Sequence, residues 1–172
     1  MGVIYALLII VAIIAVVIYV LTRKSALERR ARKAERLTLN VWVEQGEPNP
    51  NTGLVSIIIG EFIDEARAKG YKIDKDVHVA FLKPDGFSAE GLPVFEIKSN
   101  AYENSVYSME NGKVKIGGIF FVPDLVVVPT QRTDAEMREV LRHELLHWCF
   151  FVADRAKYNA TKVHRQGEVF EL

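Results

Sequence analysis

Residues 3–21, VIYALLIIVAIIAVVIYVL, are nineteen consecutive apolar or aromatic positions without a charge. As a helix rising about 1.5 Å per residue, such a run reaches roughly 28 Å, the thickness of a bilayer's hydrocarbon core. A cleavable signal peptide would carry basic residues ahead of the run and a small-residue cleavage site behind it, and this sequence has neither. A helix buried in a soluble domain would usually keep a polar stripe, which is also missing. The sequence therefore predicts a single-pass transmembrane anchor over residues 1–22, with the globular part of the chain following it.

The net charge of zero, from 22 basic and 22 acidic side chains, conceals an uneven distribution. Residues 22–37 hold seven Lys/Arg (Arg23, Lys24, Arg29, Arg30, Arg32, Lys33, Arg36) against two Glu, which leaves fifteen basic and twenty acidic residues in 38–172. A basic cluster directly after a span orients it positive-inside, so the expected localisation is a single-pass membrane protein with its main domain in the cytoplasm. Anionic lipid is the expected neighbour of the basic stretch. An acidic main domain argues against nucleic acid as a partner, because phosphate binding needs clustered cations on the binding face. The single cysteine, Cys149, rules out an intrachain disulfide.

Ser25 and Glu28 form a capping-box pattern, so residues 23–53 read as a basic juxtamembrane helix followed by a linker, EQGEPNPNTG, at 44–53. Thr38 to Val43 alternates like a strand. The main domain is expected over residues 54–172. Its first element is an amphipathic helix at 54–70, apolar at Leu54, Val55, Ile58, Ile59, Phe62, Ile63 and Ala66 and ended by Gly70. Strands are expected at Val77–Leu82 and at Leu125–Val128, the latter bounded by prolines. Asn111-Gly112 marks a two-residue hairpin turn. A second capping box, Thr133 with Glu136, opens a helix over roughly 134–152 that is apolar on more than one side and should be central.

That helix contains His143-Glu144-Leu145-Leu146-His147, an HExxH motif. Spacing of i and i+4 puts both imidazoles on one face, one turn apart, where they can share a zinc ion, and Glu144 lies one residue round the helix as the expected general base. A catalytic zinc usually takes three protein ligands and a water, so another donor must come from elsewhere. His164 is favoured, because seventeen residues after His147 leave room for the helix to end and the chain to return. Glu168 is the reserve. Asp154 lies about 10 Å further along a continuous helix and qualifies only if the helix breaks first. A zinc so held would lower the pKa of a bound water to about 7 and polarise a scissile carbonyl.

HELLHWCFF, then His164 after sixteen intervening residues, then Gly167 and Phe170, resembles the SprT-like zinc metallopeptidases, small zincins related to minimal gluzincins. Two departures are visible: Gly167 stands three residues after the histidine where the family often has it adjacent, and residues 84–124 form a long hairpin-rich insertion. Over roughly residues 54–172 the resemblance implies a small zincin-like domain of a helix, an antiparallel or mixed sheet, the HExxH helix and a C-terminal ligand segment, so that with the transmembrane helix read from residues 3–21 the expected fold is α+β. It implies a zinc metallopeptidase acting on polypeptide, with His143, His147 and His164 on the metal and Glu144 as catalytic base, here held to the membrane by the anchor. In zincins the strand beside the active helix commonly pairs with extended substrate, and Leu125–Val128 is the expected strand. The alternative is a non-catalytic, membrane-tethered binding module whose metal is structural or absent. Of the other notable side chains, His78 is expected on the polar face of its strand, Cys149 in the core away from the metal, and Tyr158 in helix packing.

Overall fold

The computed structural model describes residues 26–98, 109–110, 113–161 and 171–172. Helix α1 (Ala26–Ala31) leads into β1 (Glu35–Arg36) and β2 (Val41–Val43), and helix α2 (Thr52–Ala68) follows. Strands β3 (His78–Leu82), β4 (Gly86–Phe87), β5 (Pro93–Lys98), β6 (Met109–Glu110), β7 (Lys113–Ile116), β8 (Ile119–Phe121) and β9 (Leu125–Pro129) precede helices α3 (Asp134–Ala153) and α4 (Arg155–Thr161). Five strands form a mixed sheet in the order β1-β2-β3-β9-β8, with β2, β3 and β9 parallel and the two outer strands antiparallel to their neighbours. Four form an antiparallel sheet in the order β4-β5-β7-β6.

The alternation of side chains along β3 and β9 explains the layering. Val79, Phe81, Val126 and Val128 point to one face, where they join Val55, Ile58 and Phe62 of α2 and Leu141, Leu145 and Trp148 of α3 in one buried cluster. Ala80, Leu82, Leu125 and Val127 point to the other face, against Leu27 and Ala31 of α1 and Phe95, Val114 and Ile116 of the second sheet. A parallel strand covered on both faces has no polar side, which is why β9 reads as an unbroken apolar run. All five of its residues are buried.

The expected fold is corrected by this architecture. Among the described residues the chain is α+β with four helices and two sheets, and no helix is long and apolar enough to cross a membrane. The longest, α3, is interrupted by charge at Arg138, Glu139 and Arg142. Residues 3–21, on which the anchor expectation rested, lie outside the described residues.

Residues 26–43, expected to precede the domain, contribute a helix and two strands to it. Val41 and Val43 are buried and pair with Val79 and Phe81. Arg30 is half-buried and pairs within the protein: it donates to both Glu44 oxygens at 2.9 and 2.8 Å, to Asp85 at 2.9 Å and to the Lys83 carbonyl at 2.8 Å. The expected edge strand is also corrected. β9 lies between β3 and β8, and among the described residues β8 takes the edge. Met109 pairs with Val114 and Glu110 with Lys113, the register of the expected two-residue hairpin, whose turn lies outside the described residues.

Candidate metal centre

The helix that carries the motif starts at a fixed point. Thr133 accepts from the Glu136 N–H and the Glu136 carboxylate accepts from the Thr133 N–H, at 3.3 and 2.8 Å, closing the capping box. Arg138 and Arg142 on the outer side of α3 pair with Glu61 and Glu65 of α2. Leu141, Leu145, Trp148 and Cys149 fill the core, so the rotation of α3 is set by burial. Cys149 is wholly buried away from the motif face, and burial pushes its thiol up to about 11.

With that rotation fixed, the His143 and His147 rings stand edge to face, centroids 5.0 Å apart, with their Nε2 atoms separated by 3.3 Å. Two nitrogens bound to one tetrahedral zinc at about 2.0–2.1 Å would be about 3.3–3.4 Å apart. The observed separation meets that requirement, and without a metal it also allows a hydrogen bond between the two rings. The donors are imidazole nitrogens, which suit zinc.

Glu144 is only 6% exposed, and no cation is paired with its carboxylate among the described residues. Burial pushes its carboxyl up to about 8, against the opposing pull of the Phe120 backbone N–H of β8 nearby. The second contact comes from Gly118, in the Gly117-Gly118 turn between β7 and β8, which lies directly over the Glu144 side chain. Arg132, one residue before the cap, donates to the Gly117 carbonyl at 3.3 Å and to the Pro93 carbonyl at 2.6 Å, tying that turn to the start of α3.

The expected third ligands fare differently. His164 and Glu168 lie outside the described residues. Helix α3 does end at Asp154, without a glycine, because the aspartate caps a new helix: its carboxylate accepts the Lys157 N–H at 3.0 Å at the start of α4. Among the described residues no group of three or more His, Cys, Asp or Glu side chains is gathered to hold a metal. Tyr158 packs edge to face on Phe120 and Phe151, with centroids 6.3 and 5.2 Å away, the packing role expected of it. His78 stands apart, stacked on Trp42 at 4.9 Å on the far side of the sheet.

Sequence reasoning missed Gly118, Phe120 and the capping role of Asp154. Only the last left a signal, an aspartate directly before a short helix-forming run. No protein-family model, no curated protein and no solved structure matches this chain.

Proposed function

We propose that this protein is a zinc-dependent metallopeptidase in which His143, His147 and His164 hold the ion and Glu144 is the general base. One observation carries the reading: two imidazole Nε2 atoms 3.3 Å apart on one helix face, with a buried glutamate between them in sequence. When bound, zinc would supply a Lewis acid and a water acidic enough to attack a carbonyl near neutral pH. The Glu144 carboxylate takes a proton from the attacking water and gives it to the leaving amine nitrogen. Its burial and its lack of a cationic partner among the described residues favour proton exchange over a permanent ion pair.

Helix α4 folds back so that Tyr158 meets Phe120 of β8 and Phe151 of α3, while the assignment of His164 rests on its spacing from His147 and on the family resemblance.

The test is a zinc determination on the purified full chain together with cleavage of dye-quenched casein before and after chelation. The expected result is about one zinc per chain, with cleavage lost on removing the metal and restored by adding it. His164→Ala should lose both zinc and activity, whereas Asp154→Ala should keep its metal. A folded wild type that neither binds zinc nor cleaves casein refutes the enzyme and leaves a binding module. Full zinc retention in His164→Ala moves the third ligand to Glu168.

A further inference from the structure

Gly118 departs from the other described glycines. Its backbone is not in the left-handed region, so conformational freedom does not explain it; space does. A Cβ added there would lie 2.7 Å from Val140 Cγ1, 3.0 Å from Glu144 Cγ and 3.1 Å from Glu144 Oε1, and no other described glycine meets an atom closer than 3.0 Å. Val140 and Glu144 are one turn apart on α3, so the turn rests flat against a single strip of the helix. Val140 cannot swing aside cheaply, because its branched side chain has one strongly preferred rotamer in a helix. From the opposite side Arg132 holds the Gly117 carbonyl.

We infer that Gly118 and the Phe120 backbone N–H form a fitted seat that fixes where the Glu144 carboxylate sits, making both positioning residues for the general base. The inference rests on the metallopeptidase reading and adds to it the part of the chain that aims the base. The geometry has two components. The missing side chain at 118 lets β8 approach α3 closely enough for the Phe120 amide to reach the carboxylate, and that amide then limits the carboxylate's motion.

The experiment compares the full-length wild type, Gly118→Ala and Gly118→Ala/Val140→Ala. Three quantities are measured: bound zinc, steady-state cleavage of dye-quenched casein, and amide hydrogen exchange at residues 119–121. Gly118→Ala should keep its zinc and its KM within about twofold while kcat falls about 10- to 100-fold, the usual cost of displacing a reacting group by an ångström or less. The Phe120 amide, protected in wild type, should exchange faster in the variant. The double variant removes the Val140 clash but keeps both contacts with Glu144, so it should regain thermal stability without regaining kcat. It also supplies the readout if Gly118→Ala alone folds poorly.

Unchanged kcat and unchanged Phe120 protection in Gly118→Ala, or full recovery of kcat in the double variant, overturns the seat and leaves the enzyme assignment standing. A wild type without zinc or cleavage removes the enzyme assignment and the seat's role with it.

Discussion

Glu44 lies on the α1 side of the mixed sheet, and Glu144 lies where α3 meets β8. Glu44 receives two hydrogen bonds from Arg30 and a third from the Lys83 N–H at 2.8 Å, and these hold its carboxyl below the usual carboxylate range. Glu144 is more deeply buried and has no cationic side chain paired with it among the described residues, so burial pushes its carboxyl up to about 8. The first glutamate serves the fold: a bidentate guanidinium pair docks a short helix onto the sheet. The second costs the fold stability, because a carboxylate buried without a cation is disfavoured as an ion. Where a fold tolerates such a group against its own stability, chemistry is the reason to look for.

The contrast can be broken most severely at Glu144. Glu144→Gln should lower casein cleavage by about 10²- to 10⁴-fold, the range of a lost general base, while zinc content stays at the wild-type level. Its urea midpoint, measured on metal-free protein, should not fall, since glutamine keeps the volume and an acceptor for the Phe120 amide but places no charge there. A clear loss of stability would mean that Glu144 supports the fold after all.

Arg30→Ala should do the reverse. It leaves Glu44 and Asp85 without their shared cation and should cost about 1 kcal/mol in urea unfolding, given that the pair is partly exposed. Cleavage per folded molecule should be unaffected, because Arg30 lies on the opposite face of the sheet from the motif.

The smallest effect is on pH dependence. The folded pKa of Glu44 lies below its ordinary 4.5, so its contribution is fully present above about that pH and is lost as the pH falls through the lower folded value. The stability difference between wild type and Glu44→Gln should therefore be constant near neutrality and shrink below about pH 4.5. A difference that grew on acidification would contradict the pairing with Arg30.

Local chemistry made much of this molecule legible. Helical spacing announced α2, and the structure adds only the turn begun by Asn51, whose side chain caps the Leu54 N–H at 3.1 Å. Thr133 and Glu136 marked the start of α3, and the i,i+4 histidines do converge. What stayed hidden depends on partners distant in sequence. Thr38–Val43 reads as strand-like yet falls ahead of the expected domain, because alternating residues carry no mark of a parallel neighbour at 79–81. Leu125–Val128 looked like an available edge because an unbroken apolar strand reads the same with one neighbour or two. Gly118 looks no different from Gly117, since its importance comes from a valine and a glutamate more than twenty positions later.

The parallel arrangement of β2, β3 and β9 also bears on how the chain folds. These strands can pair only after the long connections 44–77 and 83–124 have closed, and closing such loops costs entropy before any contact rewards it. The described parts of the candidate centre are organised differently: the 117–118 turn, the β8–β9 hairpin and the His143–His147 segment all fall within residues 117–147. They close over shorter loops than the parallel ladder does, so the two motif histidines and Glu144 can be gathered against the 117–118 turn at a smaller entropic cost, whereas the assigned His164 must join them from further along the chain.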